Sequence, residues 1–179
     1  MEKIKTTPMD KAWKKLLEKK WWSTNYRGNK SNFKDSQIEL IKLRDRLLEF
    51  GGEEACLPTY EEDYNKIMTR GRLFIVKNND DIEDECDVIV KHWTGEDSQC
   101  HRNSVNIWNC YKDKLSDLHI STGYALSDDG MWRQHSWLVI TDKDNILGYN
   151  TVIETTVPRL AYYGFIMNEE EMEEFSQWY

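Results

Sequence analysis

Apolar positions along the chain change their spacing several times, and each change predicts an element. Residues 8–22 set Trp13, Leu16, Leu17 and Trp21 at helical intervals with lysines opposite, which predicts an amphipathic helix. Residues 25–32 are polar and contain Gly28, so a loop is expected there. A second helix is expected over 34–50, with Ile38, Leu40 or Ile41, Leu43 and Leu47–Leu48 turned inward and Gly51–Gly52 as its stop. Leu57–Pro58–Thr59 breaks the pattern, and a short helix over 60–68 and a short strand over 73–76 follow. The acidic run 78–85 reads as a solvated loop, while Val88–Ile89–Val90 fits a strand or a helix equally well.

The second half is more regular. From Gln99 onward, Cys100, Ser104, Ile107 and Tyr111 share one helical stripe, flanked by Val105 and Trp108. Three strands are expected next, over 120–126, 132–141 and from the turn at 142–145 to about residue 157. Ser127–Asp128–Asp129–Gly130 turns the chain between the first two, and Pro158 ends the third. Alternation puts His135, Trp137 and Val139 on one face. A last strand over 160–166 leads to a terminal helix capped by Asn168, with Glu169–Glu170–Glu171 in its favourable first turn. The fold class expected is α+β: a cysteine-bearing helix on an antiparallel sheet, with flanking N- and C-terminal helices. One domain over 1–179 accounts for the length, with 1–55 as a helical addition and 86–167 as the core that carries the chemistry.

Composition narrows the function. The chain has a formal net charge of −8, which argues against nucleic acid as a partner but leaves room for a small anion held by one or two arginines. No apolar run has the length of a signal peptide or a bilayer span, so a soluble, cytoplasmic protein with no membrane partner is expected. The four cysteines, Cys56, Cys86, Cys100 and Cys110, contain no Cys-x-x-Cys pair, so a disulfide framework is not expected. Cys86, His92, Cys100, His101 and Cys110 match no common zinc spacing, and no metal or other cofactor is expected.

Cys100 is the residue that stands out. A helix N-terminus carries about half a positive charge and unpaired N–H donors, which favour a thiolate. The same donors can stabilise an oxyanion formed when that sulfur attacks a carbonyl, with Cys100 N–H and Gln99 or its loop as donors. His135 is the expected base and later acid, and Glu154 the group that orients it, since a hairpin centred at 144–145 sets the two opposite one another. His92 and His119 remain open as alternative bases, whereas His101 should point elsewhere. Gln99, Asn103, Trp132 and Arg133 lie near enough in sequence to be substrate-binding. Arg133 fits a carboxylate or phosphate as well as it fits a surface ion pair, and Asn103 fits substrate or a neighbouring loop equally.

The segments QCHRN, GYALSDDGMWRQHSWLV and VIETT…AYYGF, in that order, resemble the papain-like superfamily in its transglutaminase-core branch. They are most similar to small bacterial and phage proteins with a Cys-His, HSW or HAW, and acidic-Thr pattern. The resemblance covers about residues 99–165 and implies a Cys100–His135–Glu154 triad, with glutamate where aspartate is more usual in transglutaminases. It implies a cysteine hydrolase (peptidase- or amidase-like) or an acyltransferase, acting on a peptide, amide or other acyl substrate through a thioester. A non-catalytic interaction protein on the same fold, of inhibitor or immunity type, is the alternative.

Overall fold

A computed structural model describes residues 2–75, 95–141 and 151–179. The elements run α1 (Lys11–Leu17), a 3₁₀ turn (Lys30–Asn32), α2 (Asp35–Phe50), β1 (Glu54–Cys56), α3 (Tyr64–Arg70) and β2 (Arg72–Ile75). Then follow α4 (Cys100–Tyr111), β3 (Leu118–Leu126), β4 (Met131–Ile140), β5 (Thr151–Ile153), β6 (Ala161–Ile166) and α5 (Glu169–Ser176). The class is α+β; the acidic run 78–85, the Val88–Ile89–Val90 segment and the turn at 142–145 lie outside the described residues. No helix among the described residues is long and apolar enough to cross a membrane.

The sheet has the order β1-β4-β3-β6-β2, with β5 also paired to β4. All pairings are antiparallel except β1 on β4, which is parallel. That strand corrects the expected wholly antiparallel sheet: residues 54–56 are too few to show an alternation. β1 and β5 share one edge of β4, β1 alongside Met131–Arg133 and β5 alongside Leu138–Ile140. Between them, the edge of Gln134–Trp137 carries no neighbouring strand among the described residues.

Two apolar layers follow from the alternation. Leu118, Ile120, Tyr124, Leu126, Trp132 and Leu138 face α2, α4 and α5 in the main core, together with Leu40, Leu43, Leu47, Val105, Ile107, Trp108 and Met172. The other face carries Phe74, Ala125, Trp137, Val139 and Tyr162. Gly164 belongs to this face because a side chain there would meet the Trp137 ring at 2.8 Å.

Helix α1 is shorter than expected, and the predicted stripe fails. Leu17 buries, but Trp13 and Leu16 are 51% and 58% exposed, because Asp10 caps the helix late and only one turn reaches Met9 and Met131. Ile38 is likewise exposed at 44% while Leu40, Leu43 and Leu47 carry the contact of α2. Helix α5 has the expected cap, with Asn168 and Glu171 forming a reciprocal pair of side-chain to backbone bonds.

Candidate active site

The site forms at the uncovered stretch of β4. Helix α4 packs on the main-core face and begins at Cys100, so the sulfur sits in its first turn. Gln99 makes no side-chain capping bond, and Ser98 holds a positive φ of 63°, a conformation uncommon outside glycine and frequent at functional loops. The Ser127 N–H donates to Met131 O, and the Thr141 N–H to Asp117 O. Counting between these bonds, alternation aims the backbone groups of Gln134 and Ser136 away from β3, into the gap. The Ser136 and His101 N–H groups lie near the Cys100 sulfur and favour its ionised form.

His135 comes from the opposite face and is 3% exposed. Its imidazole hydrogen-bonds the Cys100 thiol, and its Nε2 lies 3.0 and 3.1 Å from the two Glu154 carboxylate oxygens. The sulfur and the imidazole thus belong to opposite faces and meet at the sheet edge.

Glu154 follows β5 immediately. The observed register pairs Ile153 with Leu138, which sets Glu154 level with Trp137 rather than His135. The displacement is two residues along β4, so the face is unchanged and the carboxylate reaches His135 diagonally. The third strand ends at Ile153, short of the expected 157. Glu154 Oε1 takes the Thr155 N–H at 2.8 Å, the Thr156 N–H at 2.7 Å and the Thr156 hydroxyl at 2.9 Å, folding the chain off the ladder. Tyr162 donates its hydroxyl to Oε2 at 2.6 Å.

Burial opposes ionisation of all three groups, and mutual interaction overrides it. For Cys100 the His135 hydrogen bond and charge, with the two backbone N–H donors, hold the thiol below its usual value. Burial works against the His135 cation too, but Cys100 and Glu154 together push it up to about 9. Glu154 stays below the usual carboxylate range against its own burial, through His135, Tyr162 and the Thr156 N–H. A thiolate–imidazolium pair backed by a carboxylate is the charge state these shifts favour.

The other predicted substrate residues divide. Arg133 lines the groove, about 480 Å³ in volume, beside Cys100, His135, Thr156 and Arg159. Its guanidinium grips Asp129 with two bonds of 2.9 and 2.6 Å and donates to Ser127 Oγ at 2.8 Å. Gln99 is exposed and does not line that groove. Asn103 is buried, donating to Glu96 O at 2.9 Å and Thr155 O at 3.2 Å, which clasps the loop before Cys100 to the loop after Glu154. Gly95 fits into this clasp; a Cβ there would lie 2.3 Å from both Asn103 Nδ2 and Thr155 O. Trp132 is on the other face of β4, fully buried, with its indole donating to Gly51 O at 2.9 Å. Of the alternative bases, His119 pairs with Val139 in the strand ladder, four residues beyond His135's partner Gly123, and His92 lies outside the described residues.

Three contributors were not anticipated. Tyr162 reaches Glu154 from β6, only eight residues on in sequence but separated from β5 in the sheet by β4 and β3. Ser136 and His101 form a second link across the same gap: His101 Nδ1 lies 2.7 Å from Ser136 Oγ, which donates to Thr122 Oγ1 at 3.0 Å, which donates to His135 O at 3.4 Å. With Ser136 and Thr122 donating in that order, the proton of His101 sits on Nδ1. Among the described residues no three His, Cys, Asp or Glu side chains converge as a metal site requires. Comparison with family models, curated proteins and solved structures gives no match.

Proposed function

We propose that the chain is a cysteine hydrolase or acyltransferase with a papain-like, transglutaminase-core arrangement of Cys100, His135 and Glu154. One observation carries the reading: an imidazole that bonds the Cys100 thiol on one side and a fully hydrogen-bonded carboxylate on the other. The sulfur attacks the acyl carbon, a C–S bond forms, and the carbonyl electron pair moves to oxygen. The Cys100 N–H, in the first turn of α4 and without an intrahelical acceptor, is the expected oxyanion donor. Collapse of the adduct breaks the bond to the leaving group, which takes the His135 proton. His135 then removes a proton from water or another acceptor, which attacks the thioester and frees the sulfur. Glu154 keeps Nε2 protonated and the ring oriented throughout. Arg133 sits on the groove wall, where a substrate anion would compete with Asp129 for its guanidinium.

Iodoacetamide at pH 6 tests the reading without knowledge of the substrate. An ordinary thiol is only about 0.3% ionised there. Cys100 should therefore be alkylated about a hundred times faster than Cys56, Cys86 or Cys110. Equal, slow labelling of all four would overturn the assignment.

A further inference from the structure

Beyond His101 and Gln134 the groove continues into a second arm, about 590 Å³ in volume, on the main-core side of the gap. Its lining differs in kind from the first. The first arm presents Arg133 and Arg159, which share Ser127 Oγ as acceptor. The second presents Tyr60, Trp178 and Tyr179, with Glu61, Glu62 and Asp63, and its lining includes no lysine or arginine. Tyr60 and Trp178 are 65% and 78% exposed, and Tyr179, which packs by one side of its ring, is 50% exposed.

Two of the three carboxylates are committed. Glu61 accepts from the Tyr124 hydroxyl at 2.8 Å and from Gln134 Nε2 at 3.2 Å, and burial raises its pKa. Asp63 pairs with Lys66 at 3.2 Å. Glu62 makes no such bond among the described residues. The Tyr179 ring lies over His101, with centroids 5.1 Å apart, and against Phe175 at 4.9 Å. His101 and Gln134 line both arms, so the second arm meets the groove that holds Cys100 at those two residues, and Tyr179 and Glu62 line it beyond them.

The geometry points to a subsite for a cationic group in this arm: a lysine- or arginine-like side chain, or an alkylammonium, carried by the substrate of Cys100. Aromatic faces and an uncommitted carboxylate are the two features that hold such a cation, the first by its quadrupole and the second by its charge. Trp178 and Tyr179 supply the faces and Glu62 the charge. This inference rests on the proposed reactivity of Cys100 and names the substrate class for it.

The test uses two thiol reagents of equal length on the full chain: 6-aminohexyl methanethiosulfonate, cationic at pH 7, and the neutral heptyl methanethiosulfonate. The ratio of their rates at Cys100 reads the arm, and the absolute rate of the neutral reagent reads the thiol. Glu62→Gln and Trp178→Ala should each lower the ratio at Cys100 about threefold or more. The neutral rate, and the ratio at Cys110 as internal control, should stay unchanged. Both residues are exposed surface positions, so neither substitution threatens the fold. A ratio at Cys100 that neither variant moves would overturn the subsite. A slow neutral rate would count instead against the nucleophile, leaving the ratio to decide the arm.

Discussion

His101 and His135 sit on opposite sides of the same sheet edge, and the environment drives them in opposite directions. Residues 100–101 and 135–136 exchange partners across the gap: Cys100 takes His135, and His101 takes Ser136. Burial disfavours both cations. His135 has a thiolate and a carboxylate to offset it and rises to about 9. His101 has a hydroxyl, the aromatic rings of Phe175 and Tyr179, and the repulsion of His135, and falls to about 4. Two imidazoles so placed take opposite charge states, one charged against the sulfur and one neutral against the Ser136 hydroxyl. Burial alone distinguishes nothing here; the partners decide.

The comparison breaks most visibly at His135. His135→Ala removes the cation that holds Cys100 ionised, and the thiol reverts toward an ordinary one. Iodoacetamide labelling of Cys100 at pH 6 should fall by about a hundredfold. His101→Asn, which keeps an N–H donor near the Nδ1 position, should change it by less than about threefold. If the two variants lose reactivity equally, the roles assigned to the two rings are wrong.

Acid sharpens the other half. The His101 ring binds a proton less readily in the folded chain, near 4, than a free imidazole does at 6.5. Between those values the unfolded chain binds more protons, so the contribution to stability is complete above pH 6.5 and drains away as pH falls toward 4. From pH 7 to pH 5 this amounts to about 2 kcal/mol at most. Thermal melts of the wild type should therefore fall further over that range than those of His101→Asn. Glu171, held down to about 2 by Arg70, Lys66 and the Asn168 N–H against its own burial, drains at lower pH in both proteins and cancels in the difference.

Glu154→Gln tests what raises His135. The amide keeps one oxygen for the Thr155 and Thr156 N–H groups but removes the charge behind the imidazole. The His135 pKa, followed by NMR, should drop from about 9 by one or more pH units. Cys100 labelling at pH 6 should fall about tenfold. An unchanged His135 titration would assign the shift to Cys100 alone.

The chain announced the local parts of this site and hid the others, for identifiable reasons. The helix start at Cys100, the strand carrying His135 and the capped helix at Asn168 all follow from spacing and capping within a few residues. The parity that puts Glu154 on the face of His135 was also legible, although the register was off by two. Tyr162 was not, because β6 lies beside β3 and no local pattern reveals a strand order. β1 was missed because three residues in parallel to β4 have no periodicity. Trp13, Leu16 and Ile38 misled for the converse reason: helical spacing marks a possible face, and only tertiary packing decides whether it is used.

Ser136 carries the smallest effect, and it is the one that couples the two rings. Its N–H points at the Cys100 sulfur and its hydroxyl at His101, so the backbone and side chain of one residue serve both halves of the gap. Ser136→Ala leaves the N–H in place and removes only the hydroxyl. The His101 N–H then loses its acceptor inside the protein, at a cost of about 1 kcal/mol or somewhat more. Labelling of Cys100 should be nearly unaffected, because its donors and its imidazole remain. Denaturant melts together with the labelling rate decide the matter. A stability loss with intact labelling keeps the hydroxyl as a structural link between the rings. A large loss of labelling would mean that the neutral ring sets the position of the sulfur, and the separation of roles drawn between the two histidines would fail.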